Sequence, residues 1–177
     1  MKINYVEGDL FENLLSDSDK PIVLPHIVNN CCKWGSGFVV PLGRKFPEAR
    51  EKYLGWCDTK GYDMPYSNYP PLGLGNTQFV EVVKDKITVA NMMAQKLGGT
   101  RPLYYNRLSK CMDEVAKFAL KMNAKIIAPM LGSGLAGGNW QFIEELIKDC
   151  WLEFDIPVNI YYIPGKTPTG WVPPEHN

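Results

Sequence analysis

Two glycine-bearing segments and one Gly-Asp pair hold the residue types best suited to gripping a phosphorylated ligand. The first segment runs from His26 through Asn29 and Asn30 to Gly35, Ser36, Gly37 and Phe38. Asn29 and Asn30 offer amide donors and acceptors where an apolar run gives way to polar residues. Gly35 and Gly37 let backbone approach a ligand that side chains would hold off. His26 suits proton transfer near neutral pH. It lies among Ile22, Val23, Leu24, Ile27 and Val28, so a histidine held in the core fits the same pattern. The second segment holds Gly132, Ser133, Gly134, Leu135, Ala136, Gly137 and Gly138, ahead of Asn139 and Trp140. Small residues between a buried strand and a helix supply bare amides and a positive helix end, which suit a diphosphate. Gly8 and Asp9 follow the first apolar alternation. The Asp9 carboxylate suits an exocyclic amine such as that of adenine, and equally a turn or a helix N-cap.

These segments need elements to hold them. Ile3 to Val6 alternates like a short strand. Ile22 to Val28 is apolar on both faces, as in a central strand covered on both sides. From Phe38 to Trp56 apolar residues recur at helical spacing, and Pro47 splits the run into two helical pieces. Residues 61–75 form a loop rich in Pro, Gly and Tyr. Thr77–Val83 and Lys86–Met92 fit a hairpin turning at Lys84-Asp85. A long helix is expected to start at Thr100 to Pro102 and to stop at Asn123. Lys125 to Leu131 contains another central strand. Asn139 caps a helix striped by Trp140, Ile143, Ile147 and Trp151, and Val158 to Ile163 is the last strand. The tail from Gly165 is proline-rich and expected to be loosely ordered. Strands that alternate with helices imply a three-layer α/β/α sandwich with a mixed central sheet. In such sheets ligands sit beyond the carboxyl ends of the strands, so both glycine segments should line one cleft.

Bulk composition narrows the function. The 177 residues are 45% apolar and 21% charged, with 19 basic and 19 acidic side chains. This suits one globular domain with a sizeable core, and its lack of basic excess does not point to a nucleic-acid backbone. The five cysteines are odd in number, contain no C-x-x-C pair, and include the adjacent Cys31 and Cys32. They read as reduced thiols of a cytoplasmic protein, each a small buried apolar group. No metal cluster or cofactor motif is expected. No apolar run nears the roughly 18 residues of a membrane span. A G-x-x-x-x-G-K-[ST] motif is absent, and no βαβ unit opens the chain, which disfavours a Walker NTPase and a dinucleotide-binding fold.

Taken together, Val6-Glu-Gly-Asp9-Leu10, Asn29 with Trp34-Gly-Ser-Gly37, Gly132-Ser-Gly-Leu-Ala-Gly-Gly138-Asn-Trp140 and Tyr161-Tyr162 resemble the macrodomain family. The resemblance spans about Ile3 to Pro164, leaving residues 165–177 as a tail. It implies binding of ADP-ribose across the top of the sheet. Asp9 would then hold the adenine amine, with Leu10 beside the ring and Tyr162 at its border. Gly35 to Phe38 and Ser133 to Gly137 would wrap the diphosphate and distal ribose, and Asn29 would contact the ribose hydroxyls.

The segment around His26 is similar to the branch holding the yeast-type ADP-ribose 1″-phosphate phosphatase and the terminal ADP-ribose glutamate hydrolases. Two departures bear on activity. The glutamate hydrolases use a Lys nucleophile where this chain has Asn91-Met-Met-Ala-Gln95, and an Asp where it has Ala136 or Gly137. A second hydrolase branch has an Asp where Phe38 and Val39 stand here. The resemblance therefore implies hydrolysis at the distal ribose, as an ADP-ribose 1″-phosphate phosphatase, with Asn29 orienting and His26 transferring protons. An ADP-ribosyl-macromolecule hydrolase acting on modified protein or nucleic acid, and a non-catalytic reader of ADP-ribose, are the alternatives. A generic phosphate-binding α/β protein is the outcome if the resemblance is set aside.

Overall fold

Side-chain parity along the strands decides the layers. The computed structural model describes residues 1–16, 19–59 and 72–175. Most of the expected 61–75 loop, and His176, lie outside them. The strands are β1 (Asn4–Glu7), β2 (Ile22–Asn29), β3 (Thr77–Val83), β4 (Ile87–Gln95), β5 (Lys125–Pro129) and β6 (Val158–Tyr162). The helices are α1 (Leu10–Asn13), α2 (Val39–Lys45), α3 (Pro47–Asp58), α4 (Tyr105–Met122) and α5 (Trp140–Cys150). Strand order is β1-β6-β5-β2-β4-β3. All neighbours pair in parallel except β3 with β4, so the sheet is mixed.

Alternate residues of each strand enter different cores. Val23, Ala90, Met92, Ile126, Ala128 and Ile160 share one cluster with the stripes of α4 and α5. Leu24, Val89 and Ile127 join Leu42, Phe46 and Ala49 of α2 and α3 on the other face. A strand covered on both faces must be apolar at both parities, which is why β2 and β4 read as near-continuous apolar runs. The result is the expected three-layer sandwich.

Local chemistry sets the ends. Pro47 begins α3, where its missing N–H costs no intrahelical bond. Asn123 stops α4 in the left-handed region at φ 50°. Asn139 caps α5 by accepting from the Phe142 amide at 3.1 Å.

Three expectations need correction. The long helix starts at Tyr105, not near Thr100, because the chain before it runs alongside β4. There Leu103 bridges to Gln95 and the Tyr104 amide donates to Ala94 at 2.9 Å. The cysteines are not all reduced: Cys32 and Cys57 form a disulfide with Cα atoms 5.9 Å apart. The end of α3 packs on the loop after β2, which brings these distant thiols together. Cys111 and Cys150 are buried free thiols, as expected, whereas Cys31 is exposed. The tail is not loose either. Trp171 returns to pack against Tyr5 of β1, with ring centroids 5.1 Å apart and the rings tilted, and edge-to-face against Tyr162 of β6 at 5.2 Å. Replacing it, Trp171→Ala, should lower stability by about 1–3 kcal/mol, the range for a partly buried aromatic. Urea unfolding checks this: an unchanged midpoint would mean the tail adds nothing to the fold.

Candidate functional site

Beyond the carboxyl ends of β2, β4 and β5 lies a cleft of about 350 Å³. The loop after β2 forms one wall through Gly35, Ser36, Gly37 and Phe38, and the loop after β5 forms the other through Gly132, Gly134, Leu135 and Ala136. The walls are close: a Cβ placed on Gly37 would lie 3.7 Å from Leu135 Cδ1. Gly35 and Gly134 have nothing within 4 Å of a notional Cβ, so both face open space.

Backbone donors are what the walls offer. Among the described residues, the amides of Gly35 to Phe38 and of Ser133 to Ala136 donate to no protein acceptor, whereas Gly137 and Gly138 donate to the carbonyls of Gly134 and Gly132. Unsatisfied amides on two sides of an open cleft suit an anion with several oxygens. Among the described residues no carboxylate lines the cleft, and Lys33 is the one formally charged lining residue. No group of three or more His, Cys, Asp or Glu among the described residues could hold a metal, and no described helix is long and apolar enough to cross a membrane.

The glycines of the second loop divide by task. Gly132 to Gly137 do carry the G-x-G-x-x-G spacing, but after the fifth strand and not in an opening βαβ unit. Gly132 and Gly138 serve packing, with Cβ positions 3.0 Å and 2.9 Å from Ile143. Gly137, expected in the clamp, turns at φ 71° against residues 100–101, and its Cβ would sit 2.4 Å from the Thr100 carbonyl oxygen. Its need for glycine is therefore internal. Ser133 gives its hydroxyl to the Met130 carbonyl at 2.7 Å, so that side chain is also used within the loop.

His26 does not fit the expected proton-transfer role. A chain of buried amides fixes it. The Gln78 amide nitrogen donates to the Lys52 carbonyl at 2.8 Å, leaving its oxygen to accept from Asn91 Nδ2 at 3.0 Å. Asn91 Nδ2 also reaches the Ala49 carbonyl, so Asn91 Oδ1 is the end that accepts from His26 Nε2–H. Nδ1 is then the deprotonated nitrogen, and it is buried without a partner. Burial dominates and lowers the His26 pKa to about 4, with the Asn91 hydrogen bond opposing it. The ring is neutral at pH 7 and packs against Trp34 and Phe38.

Asn29 is also committed elsewhere. The register of β2 shifts between Val28 and Asn29, and this bulge turns Asn29 toward α3. Its Oδ1 accepts from the amides of Cys31 at 3.0 Å and Lys33 at 3.1 Å, while Nδ2 donates to the Lys33 carbonyl at 2.8 Å. The Tyr53 hydroxyl donates to the Asn29 carbonyl at 2.7 Å. Asn29 thus shapes the loop after β2 while also lining the cleft. Asn30 is exposed, gives its amide to the Gln95 carbonyl at 3.0 Å, and lies outside the cleft lining.

The adenine-side residues lie along the same sheet edge but outside this cleft. Asp9 caps α1, accepting from Phe11 at 2.8 Å, and is exposed. Gly8 turns at φ 125° and donates to the Tyr162 carbonyl at 2.9 Å. Leu10 is buried with Leu42, Phe46 and Tyr161 rather than presented to a ring. Tyr162 has the opposite parity, enters the α4/α5 core beneath Trp171, and borders no site on the Leu10 side.

Lys33, Gln95 and Leu97 also line the cleft and were not singled out from the sequence. Lys33 is the one charged residue between His26 and Gly37, and Gln95 is the polar end of an apolar strand; both were available signals. Lys96 does not enter the cleft but lies 5.4 Å from the Tyr104 ring centroid, so no Lys stands at the nucleophile position.

No family model matches the chain. It is 34% identical over 181 residues to the ADP-ribose 1″-phosphate phosphatase of Debaryomyces hansenii, covering 91% of this chain and 99% of that one. The Lodderomyces elongisporus protein of the same name is 23% identical over 157 residues, 83% of this chain and 91% of that one. Among solved structures, a macrodomain protein from Streptomyces coelicolor superposes with TM-score 0.74 at 30% identity, covering 91% of this chain and 99% of that chain. The macrodomain of Mycobacterium tuberculosis DarG shares the fold at TM-score 0.68 and 21% identity, over 90% and 96% of the two chains.

Burial of a neutral His26 has a pH signature. The unfolded chain takes up a proton near the ordinary pKa of 6.5 and the folded chain only near 4. The contribution is thus fully present above pH 6.5 and is lost as pH falls toward 4. The slope in that window is at most about 1.4 kcal/mol per pH unit. His26→Gln should remove this increment, seen as a shallower pH dependence of the urea midpoint than in the parent. Parallel curves would refute the buried neutral state.

Proposed function

The chain belongs to the macrodomain family, and from that membership we propose that it binds ADP-ribose 1″-phosphate in the cleft and hydrolyses its terminal phosphate ester. The observation that carries this reading is the pair of facing loops, rich in amides with no protein acceptor, on either side of a cleft with no carboxylate among its described lining residues. Such walls tolerate a diphosphate, which a lining Asp or Glu would repel. The phosphatase reading draws on relatives of that name matched over nearly their whole length.

In the reaction, water adds to the terminal phosphorus and the bond from phosphorus to the distal ribose oxygen breaks. That oxygen leaves with a proton, giving ADP-ribose and inorganic phosphate. Fixed amides favour the charge that builds on the transferring group, because they need no reorganisation as it forms. His26, neutral and committed to Asn91, stays outside the proton transfer. The substrate's own phosphate oxygens help position the attacking water, and the described lining residues add no carboxylate to compete with them. The Lys of the glutamate hydrolases has no counterpart in Asn91–Gln95 and their Asp none at Ala136 or Gly137, which sets removal of ADP-ribose from a macromolecule behind the phosphatase reading.

Incubation with ADP-ribose 1″-phosphate should release inorganic phosphate, while ADP-ribosylated protein and DNA should release no ADP-ribose. Gly134→Glu adds bulk and charge in open space, so the variant should fold normally and lose on the order of 100-fold or more in ADP-ribose affinity. Gly137→Ala, by contrast, should lose stability. Calorimetry and circular dichroism separate the two. No heat with ADP-ribose in the parent would sink the reading. Binding without turnover on any of these substrates would leave a reader.

A further inference from the structure

A cleft whose walls are amides grips the diphosphate of substrate and product alike. The two ligands differ at the far end, where the substrate alone carries a phosphate monoester of charge about −1.5 to −2 near neutral pH. Positive charge placed at that end would favour the substrate over the product.

Lys33 is the one formally charged side chain among the described lining residues, and it belongs to the wall that also carries Gly35 to Phe38. Its backbone is held unusually well for an exposed loop residue. Asn29 grips both peptide groups of Lys33, accepting from its N–H at 3.1 Å and donating to its C=O at 2.8 Å. Tyr53 of α3 holds Asn29 in turn, and the Cys32–Cys57 disulfide ties the preceding residue to the same helix. A flexible ammonium is thus carried on a fixed backbone at the cleft wall.

We propose that Lys33 selects the terminal phosphate of the ligand, and that Asn29 is a positioning residue acting through Lys33. This rests on the reading that the cleft takes ADP-ribose 1″-phosphate. It gives the amide of Asn29 a use other than contact with ribose, and it accounts for the one charged side chain among the described lining residues.

The test is calorimetric and needs no turnover. ADP-ribose and ADP-ribose 1″-phosphate are titrated into the parent, Lys33→Gln, Lys33→Arg, Asn29→Ala and the Asn29→Ala/Lys33→Gln double variant. The Lys33 variants carry the main weight, since they alter an exposed side chain and leave the core alone. The parent should prefer the phosphorylated ligand. Lys33→Gln should weaken that ligand about tenfold and ADP-ribose by less than about twofold, as expected for one charge-assisted contact. Lys33→Arg should restore most of the preference. Asn29→Ala should reduce the preference, and the double variant should reduce it no further than Lys33→Gln alone.

Equal loss on both ligands would place Lys33 on the diphosphate and overturn the proposal, and no loss on either would make it an ordinary surface charge. Additive losses would overturn the role of Asn29. A parent that binds neither ligand refutes the proposed function itself. A parent that binds both and releases no phosphate refutes the phosphatase while the selectivity pattern still decides the role of Lys33.

Discussion

Parallel strands bring their carboxyl ends to one edge, and in this sheet β1, β6, β5, β2 and β4 all run the same way. The cleft depends on that constraint. β2 lies between β5 and β4, so the glycine loops leaving β2 and β5 emerge side by side although about a hundred residues separate them in sequence. Neither loop forms a cleft alone. Each supplies a wall of backbone donors, and the pairing of β2 with β5 through Ile22–Lys125 and Val23–Ile126 sets how those walls face. The antiparallel strand β3 closes the far edge and contributes Gln78 to the buried chain behind β2.

That buried chain shows how a polar interior is made tolerable. Lys52 carbonyl, Gln78, Asn91 and His26 are linked so that each amide has one orientation. An unpaired polar group in such a place costs about 1–3 kcal/mol, and the line leaves one such atom, His26 Nδ1. Asn29 applies the same rule at the strand end. Its Oδ1 and Nδ2 satisfy the backbone of a loop that has no ladder partner, and the bulge at Val28 directs its amide toward that loop. Asn29, with Tyr53 and the Cys32–Cys57 disulfide, thus fixes the start of the first wall.

Much of the architecture was legible before the structure. Apolar runs gave the central strands β2 and β5, Pro47 gave the split between α2 and α3, and Asn123 and Asn139 marked helix ends where they occur. The place of the cleft was legible too, since both glycine segments follow strands whose carboxyl ends share one edge. What failed was the assignment of individual side chains. Sequence spacing places His26 and Asn29 near the ligand edge, but not that buried partners already occupy both. The same limit applies to Tyr162: an even step from Ile160 puts it in the α4/α5 core, while Leu10 lies in the other. The Cys32–Cys57 pair follows from α3 packing on the loop after β2, a long-range contact that composition does not encode.

The placement of β1 bears on how the chain is made. Its one neighbour in the sheet is β6, and Trp171 then closes over Tyr5. About 150 residues separate Glu7 from Val158. At ribosomal speeds of about 5–20 residues per second, some 8–30 seconds pass between synthesis of the first strand and of its partner. β2, β3 and β4 can assemble during that interval, since their contacts are with one another. The first strand cannot, so its edge and the ring of Tyr5 wait uncovered on the nascent chain. That segment is open to co-translational chaperones for the whole of the interval.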